Sequence, residues 1–377
     1  MTALGGVGHD EVRPLLSVPD LSREGLGLGP VSTDEAQLAA LLASPPFIGK
    51  AELTGFSGSL KCGCDFAIAI PVRNEESRLP ATLEAISAAM HCTPAAGCAV
   101  FVLNDTSDAS PELIERWALR EGLSFLAVEV SFDRTICNAP HSRRLALDMA
   151  ARAEPQDALF TTDADTMVGK GWIDKGLRLL SEGYDLICED VLLDDAELSA
   201  LPAQVREVGD AERAYLDLCD RLWRYWTRGQ ASTLAFRPSG ASLVIKASSY
   251  LRLGGLPTPP VGEDRALCDA MLEAGFAVKA MENFGTRTSA RLTARALGGC
   301  GDTLAERALS ADPECDSRLK PVRLLHEEAT LSMEIIGGAS PRFHTPPKPS
   351  APMTFSAVQR ELQIARKLVA SYGLGDA

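Results

Sequence analysis

An α/β architecture, a mixed and mostly parallel sheet flanked by helices, follows from three features of this chain. From Asp65 onward, short apolar runs alternate with stretches of helical spacing. The runs are continuously apolar, as strands buried on both faces are. Polar clusters stand where the runs end, and open α/β sheets bind ligands beyond the carboxyl ends of their strands.

The first 60 residues are rich in Gly, Pro, Ser and Leu. "DEAQLAALLA" predicts a short amphipathic helix there, with little else regular before Lys61, so residues 1–60 read as an N-terminal extension. "FAIAIPV" is the first buried strand and "ESRLPATLEAISAAM" the helix after it. "CAVFVLN" is the second strand. "SPELIERWALREG" is the second helix, with Ser110 as its expected N-cap and Pro111 in its first turn. "LSFLAVEV", "APHSRRLALDMAARA" and "DALFTT" give strand, helix and strand. Strand then helix, repeated, means parallel strands covered by helices. Beyond Gly183, "YDLICEDVLL" is another strand. A long helix follows with Tyr215, Leu218, Leu222 and Tyr225 or Trp226 near one face, read as core packing rather than a sugar platform. "SGASLVIKASSYLRLGGLP" gives turn, strand and helix, and "GED" opens the next helix. The Pro-rich "GASPRFHTPPKPSAPM" reads as a linker or surface arm, before a last helix, "FSAVQRELQIARKLVASYG".

The formal net charge of -14 argues against a nucleic-acid partner, which needs a basic face. No apolar run nears the ~20 residues of a membrane helix. The start, "MTALGGVGHDEVRP", has no basic region before an apolar core, so the chain is expected to be cytoplasmic. Its ten cysteines are then expected to be reduced. Cys62 and Cys64 lack a second pair at zinc spacing and read as structural thiols.

Chemistry concentrates at "FTTDADTMVGKGW", where Asp163 and Asp165 follow a strand. A calcium loop fails on the residues, because Met167 and Val168 stand where a ligand and a glycine are needed. A strand ending in D-x-D-x-T resembles the first motif of haloacid dehalogenase-like phosphatases, with Asp163 as nucleophile. That motif usually opens its domain, whereas here three strand–helix units come first.

A third reading takes in the whole order. "FAIAIPVRNEESRLPATLEAI", "VFVLNDTSDAS", "HSRRLALDMAA", "FTTDADTMVGKGWI", "GASLVIKASSYLRLGGLP" and "GEDRALCDAMLEAGFAV" succeed one another. In that order they resemble the family 2 glycosyltransferases of the GT-A fold, over Asp65 to Arg295. The resemblance implies a Rossmann-like GT-A domain over 61–305, with 306–377 a C-terminal helical tail bearing the Pro-rich arm. It implies a UDP- or GDP-linked sugar donor, a Mg²⁺ or Mn²⁺ ion on the diphosphate and an acceptor it does not name; no integral membrane segment is expected, for want of a long apolar run. Homo-oligomerisation stays open.

Position by position, the resemblance implies that Asp165 holds the metal and Asp163 touches the ribose while supporting the metal site. It implies that Pro71, Arg73 and Glu75 shape the base and ribose pocket, that Asp105 bonds the base, and that Arg143 or Arg144 lies near the nucleotide. Gly240, Ala241 and Ser242 of "SGAS" would lie under the donor sugar. Asp264, with Glu263 second, would be the general base that takes the acceptor proton. Arg287, Arg291 and Arg295 suggest a basic strip, the last two one helical turn apart, for a diphosphate or anionic acceptor; a solvated helix face is the plain alternative. The third metal ligand is unplaced, with His326 and His344 candidates by position only. Inversion is the preferred outcome. "RTSAR…GG" also resembles retaining enzymes that make glucosyl-3-phosphoglycerate, so retention remains the alternative, and a non-catalytic nucleotide-sugar module the least favoured one. No Q-x-x-R-W motif is present, which argues against a processive synthase.

Overall fold

The apolar runs "FAIAIPV", "CAVFVLN" and "ALFT" have no polar face to turn outward, and the chain covers both sides of them. A computed structural model describes residues 34–60, 63–155, 158–229, 238–293, 298–336 and 352–375. The first half runs α1 (Asp34–Leu42), β1 (Ala51–Ser59), β2 (Phe66–Val72), α2 (Leu79–His91), β3 (Gly97–Asn104), α3 (Ser110–Glu121), β4 (Ser124–Phe132), α4 (Ala139–Arg152) and β5 (Ala158–Thr161). The second half adds β6 (Thr166–Met167), α5 (Trp172–Ser181), β7 (Leu186–Leu193), α6 (Asp195–Ala200), α7 (Ala203–Trp226), β8 (Leu243–Lys246), α8 (Ala247–Leu253), α9 (Glu263–Glu273) and β9 (Val278–Thr288). Three helices follow: α10 (Cys300–Leu309), α11 (Val322–Ile336) and α12 (Phe355–Ser371).

One mixed sheet of order β1-β4-β3-β2-β5-β8-β7-β9-β6 results, with β4, β3, β2 and β5 a parallel central block. β8 returns antiparallel between β5 and β7, and β1 is an antiparallel edge on β4. Residues of β2 divide by parity. Phe66, Ile68 and Ile70 join the core under α2, α3 and α5, while Ala67 and Ala69 join the core under α1, α4 and α9. The two alanines let α4 lie close on β2. Phe160 stacks edge-on with Phe66 and Trp172 at 5.6 and 4.9 Å, a geometry that adds about 0.5–1.5 kcal/mol per pair beyond burial.

A separate core joins α7 to α11 and α12 through Tyr215, Leu218, Leu222, Trp223, Val358 and Leu362. The core reading of the α7 stripe holds for Tyr215, Leu218 and Leu222. Tyr225 is exposed and stacks on Tyr372 instead.

Three expectations are corrected. The segment before Lys61 was expected to hold little beyond one helix, yet β1 lies in it. Its Gly and Ser content hid the alternation of half-buried and exposed residues that an edge strand shows. Ser110 is not the N-cap of α3: its N–H donates to Asp108 Oδ1 at 3.0 Å, and its hydroxyl accepts from the Glu75 N–H at 3.2 Å. Ser289 to Thr293 are not helical, so Arg291 lies on no helix face. Arg295 and His344 lie outside the described residues.

Candidate active site

Parallel strands deliver their carboxyl ends to one side of the sheet, and here the chain turns sharply as each ends. Pro71 sits near the end of β2, where β5 has stopped pairing after Ala69↔Thr161, so its missing N–H costs no ladder bond on that side. Asn74 and Asp105 take left-handed backbone, with φ of 52° and 48°. Asn74 Oδ1 accepts from the Ser107 N–H at 2.8 Å, tying the first turn to the second. Asp105 is exposed and accepts from Ser131 Oγ at 3.2 Å, the Phe132 N–H at 3.4 Å and Cys137 Sγ at 3.2 Å. Arg73 is half-buried in the same corner, close enough to pull down the Cys137 thiol pKa, which burial and Asp105 raise.

The acidic pair stands beyond β5. Thr161 Oγ1 closes that strand onto Ala69 O at 2.8 Å, and Thr162 Oγ1 donates to Ala241 O at 2.8 Å. The two residues after Asp165 pair with β9 in the register Thr166↔Thr288 and Met167↔Arg287. That register sets Asp165 beside the segment after β9. Arg291 there grips Glu75 with both arms of its fork, at 2.6 and 2.5 Å, and reaches Asp165 Oδ2 at 2.9 Å. Glu197 of α6 anchors this segment, accepting from Ser289 Oγ at 2.9 Å and the Ala290 N–H at 2.7 Å, and pairs with Arg78.

Arg143 of α4 is the hub. It is buried, and its guanidinium reaches Asp163 at 2.5 Å, Glu263 at 3.1 Å, Thr161 Oγ1 at 3.0 Å and Gly240 O at 2.8 Å. Burial opposes its charge, but Asp163 and Glu263 outweigh that and raise its pKa. Gly240 leaves the guanidinium its place, since a Cβ there would lie 2.6 Å from Arg143 Nη2 and push it aside. Its N–H donates to Asp264 Oδ2 at 3.0 Å. Burial raises the Glu263 carboxyl, against the pull of Arg143. Ser242 turns into the core rather than the cleft, accepting from Trp172 Nε1 at 2.8 Å and donating to Glu189 Oε2 at 2.7 Å.

The structure therefore brings Glu75, Asp163, Asp165, Arg143, Gly240, Glu263 and Asp264 into one cleft, with Pro71, Arg73 and Asp105 along its first two turns. Arg144 is turned elsewhere, holding Asp148 at 2.6 Å and the carbonyls of Leu256 and Gly254, each at 2.7 Å. Arg287 pairs with Asp195 at 2.8 Å. His326 is exposed and packs edge-on against Trp226 at 4.7 Å, on the helical tail and not among the carboxylates. Cys64 lies against Cys98, Sγ to Sγ 3.3 Å, and Cys62 lies outside the described residues. Sequence reasoning missed Glu189, a buried carboxylate that accepts from Ser242 and from the N–H groups of Phe284 and Thr286 at 2.5 and 3.1 Å. It also missed Glu197. An acidic residue within a strand or a short helix gives no signal until its partners are seen.

Among the described residues no group of three His, Cys, Asp or Glu is gathered to hold a metal alone. The donor set nonetheless suits a hard cation that takes its other ligands from a phosphate, since it offers two carboxylates one residue apart. Burial, then the neighbouring Asp163, lifts the Asp165 carboxyl to about 7, against the pull of Arg291 and Arg78. Glu75, Asp163, Asp165 and Glu263 are paired with the guanidiniums of Arg143 and Arg291, and Arg78 also acts on Asp165.

Among solved structures the chain is similar to the mannosyltransferase PcManGT of Pyrobaculum calidifontis, crystallised with GDP-Man and Mn²⁺, at 15% identity over 91% of this chain and 88% of that one, TM-score 0.42. It is similar to residues 1–349 of S. aureus TarS at 11% identity over 65% and 70%, TM-score 0.42. It is also similar to the glucosyl-3-phosphoglycerate synthase of Mycobacterium tuberculosis, crystallised with Mg²⁺ and UDP, at 14% identity over 66% and 79%, TM-score 0.37. No curated protein matches. The model of Glycosyl transferase family 2 matches residues 67–202, which hold Glu75, Arg143, Asp163 and Asp165 and stop short of Gly240, Glu263 and Arg291. The phosphatase alternative gives way to that match, since the units before Asp163 belong to the matched span and build the same cleft. Residues 67–202 thus match the family, Glycosyl transferase family 2, to which the order of motifs pointed.

Proposed function

We propose that this protein moves a sugar from a UDP- or GDP-linked donor to an acceptor hydroxyl, with Mg²⁺ or Mn²⁺ held by Asp165 and supported by Asp163. One observation carries the reading. Arg143 joins Asp163, inside the family match, to Gly240 and Glu263, outside it, so the second-half motifs share the acidic pair's cleft. The bound cation would neutralise charge growing on the diphosphate as the glycosidic bond breaks. This chain's own residues do the rest. Pro71, Arg73, Glu75 and Asp105 frame the base and ribose, and Arg143 fixes Asp163 against the ribose. Gly240 and Ala241 give the donor sugar a floor without side-chain bulk. Arg143 already binds the Glu263 carboxylate, so the proton of the acceptor hydroxyl falls to half-buried Asp264, which favours an inverting transfer. Retention is the second reading, because Asp264 also accepts from Gly240 and from the Arg265 N–H at 2.7 Å.

A thermal-shift screen of UDP- and GDP-sugars with and without Mn²⁺ tests the proposal. A true donor raises Tm by mass action, and more so with Mn²⁺. No shift with any nucleotide-sugar would sink it. The anomeric proton of the product, read by NMR, decides between inversion and retention.

A further inference from the structure

Arg291 and a metal ion would need the same atom. Its Nη2 lies between Glu75 Oε1 and Asp165 Oδ2, and its Nη1 completes the fork on Glu75 Oε2. Two cations on one partly buried carboxylate oxygen repel strongly where the dielectric is low. We propose that Arg291 makes metal loading conditional on the nucleotide. The guanidinium competes with the divalent ion for Asp165, and a nucleoside diphosphate relieves the competition by drawing the fork onto its own oxygens.

Three features support this. Arg143 is fixed by carbonyl and hydroxyl partners as well as carboxylates, whereas the contacts of the Arg291 guanidinium are to Glu75 and Asp165. Arg291 is also the more accessible, its side chain 18% exposed against 3% for Arg143. Glu197 pins Ser289 and Ala290, so the backbone stays put and the long side chain is what swings. A diphosphate presents oxygens that match a planar fork as well as a carboxylate does. The order of binding then has a structural cause: nucleotide first or together with the metal, not metal alone.

This rests on the donor reading above, and the experiment separates the two. Mn²⁺ binding to the full chain is measured by titration calorimetry, with and without UDP or GDP, for the wild type, Arg291→Gln and Arg291→Lys. Without nucleotide, Arg291→Gln should bind Mn²⁺ about tenfold more tightly than the wild type. Arg291→Lys keeps the competing charge and should stay near the wild type. With nucleotide present, the gap between wild type and Arg291→Gln should narrow. If the wild type binds Mn²⁺ with nucleotide yet Arg291→Gln gains nothing without it, the competition is refuted and the donor reading stands. If the wild type binds neither nucleotide nor Mn²⁺, the donor reading fails and this inference with it. Should Arg291→Gln not fold, Arg291→Lys binding Mn²⁺ tenfold tighter than the wild type would also overturn the proposal, since its charge is unchanged.

Discussion

Arg143 and Asp163 meet at 2.5 Å, and the arginine reaches that carboxylate from inside the protein rather than from solvent. The same guanidinium holds Glu263, so one buried cation serves two acids far apart in the sequence. Replacing it by Met strands both. We expect Arg143→Met to lose about 3 kcal/mol of stability, the lower end for a broken buried pair because Asp163 is part-exposed. Arg143→Lys should fall between, as a point charge cannot span four acceptors. Urea denaturation checks both.

Gly240 has no room for a side chain. A Cβ would lie 2.6 Å from Arg143 Nη2 and 2.9 Å from its Cζ, so Gly240→Ala must push the hub aside. The expected cost is about 1–3 kcal/mol, as for other overpacked sites. Transfer activity should fall further than stability does, because the displaced arginine also releases Asp163. Tm and kcat measured on the same preparation show whether they part.

Asp165→Asn removes the proposed metal ligand yet also a buried charge that the fold tolerates poorly, as its raised pKa shows. The variant should be at least as stable as the wild type at pH 7 while its Mn²⁺-dependent gain in nucleotide affinity falls by about 100-fold. Calorimetry with UDP or GDP, with and without Mn²⁺, reads the difference. An unchanged metal effect would remove Asp165 from the metal site.

The architecture was legible because continuous apolar runs have few alternatives to buried strands, and strand ends collect polar turns. The turns that carry Glu75, Asp163 and Asp165 were legible for the same reason, whereas Glu263 and Asp264, at the start of α9, were picked out only by the family resemblance. What sits between them was not. Arg143 was expected near the nucleotide, but its grip on Gly240 O and Glu263 depends on packing α4 against the turn before β8 and the start of α9. Arg291 read as one of a strip of arginines, and only the Thr166↔Thr288 register shows which carboxylates it meets. β1 was hidden by a composition that favours loops.

Glu197 gives the fold a pH-dependent tie. Burial pushes its carboxyl up, but Arg78, Ser289 and the Ala290 N–H outweigh that, so its pKa lies below the ordinary 4.5. The ionised form is thus favoured in the fold. Its stabilisation is fully present above about pH 4.5 and is lost as pH falls through the lowered folded value. Wild type should exceed Glu197→Gln by about 1 kcal/mol at pH 7, with the gap closing below pH 4.5. Thermal unfolding of both proteins across pH 3 to 7 tests the sign; a gap that widens on acidification would contradict it.

Glu189 is the sharpest test of how the two halves of the cleft are joined. Its Oε1 accepts from the N–H groups of Phe284 and Thr286, and its Oε2 from Ser242 Oγ. One carboxylate thus aligns the "SGAS" turn with the strand that leads to Arg291. In Glu189→Ala two buried N–H groups lose their acceptor at about 1–3 kcal/mol each, so a loss of about 3 kcal/mol or more is expected. Glu189→Gln keeps an oxygen for both N–H groups. Its amide can donate to Ser242 Oγ, which has a second lone pair beside the one taken by Trp172. That variant should fold nearly as well as the wild type and keep Mn²⁺-dependent nucleotide binding. If Glu189→Gln instead behaved like Glu189→Ala, the negative charge rather than the hydrogen-bond geometry would be what holds the cleft together.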